Sequence, residues 1–237
     1  DGDDVPLVSS ASVQNVPDAA HGLDFGGEVN SFIFSSTKKH ISNRPTGSRA
    51  SPPPLPLLCE LNGFCWNTNG LRVHRDEKLK KVLQFMDHKD FGGLMETHGD
   101  DASASLSETL HLLREKNIIS FWSHLSNKQG GVALLFKKSF LDRFCIVDVS
   151  VVVKGRILTA KLETSQGKAL QISVNYFSTG QGVEAVAREI LALRRASSRH
   201  HHNIALGDFN FVEHANDRIG IDSSELRQLD ASITEKW

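Results

Sequence analysis

The chain has 237 residues, of which 39% are hydrophobic and 23% charged, with a formal net charge of −1. The length suits one domain of ordinary size with a tail, and the composition is that of a soluble globular protein rather than a disordered or membrane-embedded one. A charge this close to neutral gives no global attraction to nucleic acid, so any such interaction has to come from a local basic face. No apolar run approaches the roughly 20 residues that a membrane helix needs. The opening DGDDVPLVSS lacks the basic and apolar regions of a secretory signal and has no initiating Met, so a fragment is expected. Cys59, Cys65 and Cys145 are too few for a disulfide framework and contain no CxxC, which points to a reducing, intracellular setting and not to secretion.

Residues 1–56 show no sustained helical or strand period, are rich in Ser, Pro, Gly and Asp, and close on Ser51-Pro52-Pro53-Pro54-Leu55-Pro56. A tract of this kind is stiff and extended and buries little, so a disordered leader is expected. Phe32 and Phe34 are its candidates for docking on the domain that follows.

From Leu57 the pattern changes. A strand is expected to about Asn67, then a helix over Arg75 to Asp90 with Leu79, Val82, Leu83 and Met86 on one face and Lys78, Lys80 and Lys81 on the solvated side. Phe91 to Thr97 forms the next strand despite Gly92-Gly93. Ser105 and Glu108 read as a capping box for a helix carrying Leu106, Leu110 and Leu113. Strands follow at Ile118 to Trp122 and Val132 to Phe136, then a hairpin of Cys145 to Val153 and Arg156 to Leu162, and a strand over Ala169 to Phe177. A second amphipathic helix buries Val183, Val186, Ile190 and Leu193. A short strand spans Ile204 to Gly207, and Asp222 or Ser223 opens a last helix bearing Leu226, Leu229 and Ile233. Hairpins mixed with helices, without a strict βαβ repeat, predict two largely antiparallel sheets packed face to face with helices outside.

Four of these stretches end in polar groups. Asn67 and Asn69 precede Gly70; Glu96 follows Leu94-Met95; Tyr176 lies in V-N-Y-F; Asp208 and Asn210 flank Phe209 in G-D-F-N. Each has an ordinary reading, as a turn, a surface charge or a half-buried sheet residue. Together they supply one each of the parts that metal-assisted attack on a phosphate ester needs. Mg²⁺ takes about six oxygens and one or two carboxylates, here Glu96 with the amide oxygen of Asn69. Asp208 is placed to deprotonate a water, with Asn67, Asn210 and Tyr176 donating to the phosphate. The run His200-His201-His202 reads as a solvated loop at the far end of its strand from Asp208.

With W-N-T-N-G-L-R at 66–72, M-E-T-H at 95–98, G-G-V-A-L-L-F at 130–136, G-R-I-L at 155–158, V-N-Y at 174–176, G-D-F-N at 207–210 and D-R at 217–218, the chain from Leu57 to Trp237 resembles the endonuclease/exonuclease/phosphatase superfamily. Within it the chain is most similar to the endonuclease domains of non-LTR retrotransposons and to apurinic/apyrimidinic endonucleases. The resemblance implies a four-layer α/β/β/α sandwich of the DNase I-like fold and Mg²⁺ (or Mn²⁺) at Glu96 and Asn69. It implies Asn67, Asn210 and Tyr176 on the phosphate and Asp208 as base. It further implies a DNA substrate, an intracellular location that is nuclear if the substrate is chromosomal DNA, and fusion to a downstream reverse transcriptase.

The pattern also departs from the family. Met95 stands where Gln is usual, and Phe177-Ser178-Thr179 replaces the usual residues after the tyrosine. The closing Ser-Asp-His segment of the family has no counterpart before Trp237. The expectation is therefore a domain incomplete at its C-terminus and weakly active or inactive alone, since one lost charged donor costs about 10²–10³ in rate. The alternatives are a catalytically dead domain that binds nucleic acid or a partner, and an enzyme of the same fold acting on lipid, inositol phosphate or RNA.

Overall fold

The computed structural model describes residues 29–34, 61–72, 74–99, 104–177, 182–198 and 201–210. The helix expected from Asp222, the D-R pair at 217–218, His200, Ser178-Thr179 and most of residues 1–56 lie outside the described residues. Within them the order is β1 (Val29–Phe34), β2 (Leu61–Asn67), α1 (Arg75–Asp87), β3 (Phe91–Met95), α2 (Ala104–Glu115), β4 (Ile118–Ser123) and β5 (Val132–Lys137). The short α3 (Lys138–Leu141) follows, then β6 (Cys145–Val153), β7 (Ile157–Glu163), β8 (Ala169–Tyr176), α4 (Val183–Ala196) and β9 (His202–Asp208).

The strands form two sheets, ordered β1-β2-β3-β5-β4 and β6-β7-β8-β9. One core lies between them and includes Leu61, Phe91, Leu134 and Phe136 from the first sheet and Leu158, Ile172, Val174 and Leu206 from the second. The alternate residues of β2, β3 and β5 (Phe64, Trp66, Leu94, Ala133, Leu135) pack outward on Val82 and Met86 of α1 and Leu113 of α2. Ile157 and Phe177 pack outward on Val186, Ile190 and Leu193 of α4. This is the four-layer α/β/β/α sandwich, produced by period-2 strands whose two faces are both apolar.

The sheets are largely antiparallel, as expected: five pairings are antiparallel, and two, β2 with β3 and β8 with β9, are parallel. Three expectations need correction. The stretch 1–56 is not wholly leader, because Val29–Phe34 pairs antiparallel with β2 in register from Val29↔Trp66 to Phe34↔Leu61. It covers an edge of β2 that would otherwise present unpaired amides and carbonyls. The capping box does not form as read: α2 begins at Ala104, and Glu108 turns instead to Arg75, with Oε2 2.5 Å from Nη1. Lys78 is not on the solvated side but is buried. It shares its phase with Val82 and Met86 at four-residue spacing, so the helix period carries it inward.

The pair Gly92-Gly93, a weak strand interior by propensity, is explained by what lies on each face. A Cβ on Gly92 would stand 2.2 Å from the Phe64 ring, and one on Gly93 3.0 Å from Val174 of the opposite sheet. The glycines leave room for the Phe64 ring on one side of β3 and for the second sheet on the other.

Cys65 faces the inter-sheet core. Its burial pushes the thiol up from 9.0 to about 11, a hydrogen bond with the Gly207 backbone opposing and the charge of Asp208 adding to the rise. Cys145 is exposed at the start of β6.

Two outcomes follow. Gly92→Ala lowers the unfolding free energy by about 3 kcal/mol through overpacking against Phe64, read from the urea midpoint, whereas Gly167→Ala, which meets no neighbour but has a left-handed backbone at φ 72°, lowers it by about 1 kcal/mol. In native protein at pH 8 a maleimide labels Cys145 and leaves Cys65 unmodified, because little of the buried thiol is thiolate so far below about 11. Labelling of Cys65, followed by peptide mapping, rises with pH and on unfolding.

Candidate active site

Strand direction assembles the candidate residues. Asn67, Tyr176 and Asp208 are the last residues of β2, β8 and β9, each in phase with the inward-facing residues of its strand. Glu96 is the residue after β3. Because β2 runs parallel to β3 and β8 parallel to β9, with Asn67 beside Met95 and Tyr176 beside Asp208, all four residues reach the same rim of the sandwich.

They touch. The Tyr176 hydroxyl donates a short hydrogen bond to Glu96 Oε1, and Asn67 Nδ2 donates to Asp208 Oδ2 at 3.4 Å across the gap between the sheets. The Glu96 side chain remains 20% exposed, with His98 Nε2 3.6 Å from its Oε2. The His98 imidazole is held below its ordinary value mainly by burial; Glu96 opposes this and the charge of Lys78 adds to it. It is therefore neutral near pH 7.

Asn67 and Asp208 also perform local work. Asn67 Oδ1 accepts from the Asn69 N–H at 3.0 Å, and Asp208 Oδ1 accepts from the Asn210 N–H at 3.0 Å. Both are Asx turns, so the ordinary reading of these residues and the chemical one hold together: one atom of each side chain builds the turn and the other faces the rim. Phe209, between Asp208 and Asn210, packs edge-on against Phe177 at 5.4 Å. Asn210 belongs to the rim but has its Nδ2 bonded to Phe177 O at 2.8 Å, leaving one of two amide hydrogens for a ligand. Asn69 sits exposed at the lip in a left-handed conformation, φ 44°, and its side chain hydrogen-bonds to none of the other described residues.

Two residues to which the sequence reading gave no role complete the surroundings. Arg156, 7% exposed, lays its guanidinium over the Tyr176 ring at 4.7 Å, and its carbonyl accepts from the Tyr176 N–H at 2.8 Å. A cation on the ring face fixes the plane in which the hydroxyl points. Its motif, G-R-I-L, gave the signal without the partner. Lys78 donates through Nζ to the carbonyls of Thr68, Asn69 and Gly70 at 2.8, 3.3 and 2.6 Å. Beside the rim, Arg72, Arg75, Thr97, Trp122 and His124 help to line a shallow cleft. His202 opens β9 and Asp208 closes it, so His202 lies at the opposite end of the strand from Asp208.

A hard divalent ion prefers oxygen ligands with one or two carboxylates and retained waters. A largely buried carboxylate, a phenol oxygen and amide oxygens on one rim fit that preference. Among the described residues no group of three or more His, Cys, Asp or Glu stands together, so the donor set is not that of a thiolate or polyhistidine site.

No curated protein sequence matches the chain. Among solved structures, an AP endonuclease from Leishmania major is similar at TM-score 0.55 and 18% identity, over 72% of this chain and 61% of that one. An AP endonuclease from Archaeoglobus fulgidus gives 0.51 and 15%, over 71% and 68%. A 3′ phosphatase from Neisseria, bound to product DNA hairpin, gives 0.51 and 19%, over 72% and 68%. The chain thus spans three-fifths to two-thirds of the length of such structures, which share its DNase I-like fold. With residues 64–231 matched by the family's sequence profile, the chain belongs to the endonuclease/exonuclease/phosphatase family, whose members are hydrolytic nucleases and phosphatases generally dependent on a divalent metal ion.

Proposed function

We propose that the chain is a Mg²⁺- or Mn²⁺-dependent phosphodiesterase that nicks DNA, of the kind carried by non-LTR retrotransposons and acting in the nucleus beside a reverse transcriptase encoded downstream. The observation that supports this reading most is the meeting of Asn67, Glu96, Tyr176 and Asp208 on one rim, with Asp208 bonded to Asn67 and Glu96 to Tyr176. Arg72, exposed beside the rim, offers a cation to a phosphate backbone passing through the cleft.

The residues divide the work by chemistry. Glu96 and Asn69 are the groups that would hold the ion, whose contribution is to neutralise the non-bridging phosphate oxygens and stabilise the leaving alkoxide. Asp208 Oδ2 accepts the proton of the attacking water. Asn67 Nδ2, within reach of that same oxygen, orients the carboxylate and presents an N–H to the phosphate. Asn210 offers its remaining amide hydrogen. Tyr176 begins with its hydroxyl donating to Glu96, so it donates to the charge building on phosphorus oxygens only when Glu96 takes another partner. Arg156 keeps the phenol ring in the plane that this exchange requires.

Supercoiled plasmid incubated with the full-length protein and Mg²⁺ is expected to convert to the relaxed form, and EDTA stops the conversion. Asp208→Asn, which preserves shape and the turn-forming oxygen, lowers the nicking rate by about 10²–10³. Glu96→Gln raises the Mg²⁺ concentration needed for half-maximal rate. Equal background rates for wild type and Asp208→Asn overturn the reading. Faster turnover of RNA or an inositol phosphate than of plasmid would move the substrate and leave the chemistry in place.

A further inference from the structure

Lys78 occupies a place that ordinary helix electrostatics disfavours. It lies in the N-terminal part of α1, where the helix dipole opposes a cation, and it is 4% exposed. No carboxylate pairs with it among the described residues. Its three protons meet three carbonyls, those of Thr68, Asn69 and Gly70, and burial lowers the ammonium below its ordinary value.

Three consecutive carbonyls do not converge on one point in a regular strand, where successive groups alternate in direction. They do here because Asn69 and Gly70 are left-handed, at φ 44° and 80°. At Gly70 a Cβ would also stand 2.8 Å from His98 Nδ1. The same loop is held on its other edge by its amides: Thr68 N–H to Met95 O at 2.9 Å, Gly70 N–H to Glu96 O at 2.7 Å, and Leu71 N–H to Thr97 O at 3.1 Å. Thr68 Oγ1 adds bonds to the carbonyls of Met95 and Glu96. One edge of the loop is therefore fixed to the segment that carries Glu96 and the other to a single buried charge.

We propose that Lys78 is a positioning residue of the rim: its ammonium is a built-in cation that closes a three-carbonyl cage and so fixes the loop bearing Asn67 and Asn69 before any divalent ion or nucleic acid binds. A ring of carbonyl oxygens around a monovalent cation is a coordination that proteins also use for free ions, and here the ion is tethered to α1. Cutting the side chain back leaves a cage shaped for a primary ammonium. The influence on catalysis rests on the proposed nuclease reading; the order of the loop does not.

The test separates the two. In Lys78→Met, which keeps the length of the stem and removes the charge, the amides of Gly70 and Leu71 exchange about ten- to a hundredfold faster than in wild type by hydrogen-exchange mass spectrometry, while those of β5 and β7 keep their protection. In Lys78→Ala, propylammonium, which replaces the deleted atoms, restores slow exchange of the loop, and tetramethylammonium at the same ionic strength does not. In plasmid nicking, Lys78→Met lowers kcat about tenfold or more with KM for DNA little changed, and propylammonium restores the rate of Lys78→Ala in the same order as it restores exchange. Unchanged loop exchange in Lys78→Met, or equal rescue by the two ammonium salts, overturns the proposal. Should Lys78→Ala fail to fold, the exchange of Lys78→Met decides alone. A wild-type protein that does not nick sinks the nuclease reading and leaves the exchange result standing.

Discussion

The pairings of β2 with β3 and of β8 with β9 are parallel, and a parallel pair ends both strands at the same edge of its sheet. Each sheet therefore delivers two chain ends to one rim, and packing the sheets face to face puts the two rims against each other. Asn67 and Asp208, 141 residues apart in sequence, come within hydrogen-bonding distance by this route alone. An all-antiparallel arrangement would have sent Asn67 and Glu96 to opposite ends of the first sheet and Tyr176 and Asp208 to opposite ends of the second.

Close approach of the sheets is the second condition, and it is met by omission of side chains. Gly93 gives Val174 and Leu206 of the opposite sheet room above β3, one layer below the rim. The inter-sheet core is apolar through Met95, Val174 and Leu206 and turns polar only in its last layer. Charge is admitted there under tight terms. Lys78 has all three donors bonded, Tyr176 and Glu96 satisfy one another, and Arg156 is covered by the Tyr176 ring. Lys78, Tyr176 and Glu96 held this way restrict the rim to one arrangement, since each alternative leaves a desolvated donor or acceptor without a partner, whereas Arg156 Nη1 is buried with no hydrogen-bond partner among the described residues.

Much of this was legible in the residues. The period-2 and period-3.6 patterns located α1, α4 and β3 to β9 within a few residues, because these elements bury continuous apolar faces. The polar strand ends stood out against those faces, which is why Asn67, Glu96, Tyr176 and Asp208 could be grouped before any fold was known. What escaped was set by tertiary partners. Val29–Phe34 has a strand's composition inside a tract without period, and only the open edge of β2 selects it. Glu108 matched a capping box, but Arg75 on another helix offered a better ion pair. The charge of Lys78 suggested solvent, although its four-residue spacing to Val82 and Met86 marked the buried stripe. No spacing rule reports that three carbonyls wait at the end of that stripe. Parallel pairing was hidden for a similar reason, since the strands concerned are joined through helices and loops whose return path composition does not reveal.

The Asx turns at Asn67 and Asp208 bear on how such a domain would age. Each side chain spends one oxygen on closing a turn and turns its other atom to the rim. Selection for a well-folded chain therefore retains both residues even in a lineage that has given up hydrolysis. Among the described residues the Glu96 carboxylate bonds to the Tyr176 hydroxyl and lies beside His98, and it closes no turn. In a family tree containing silent copies, Glu96 would drift first, and its identity is the better marker of a working copy.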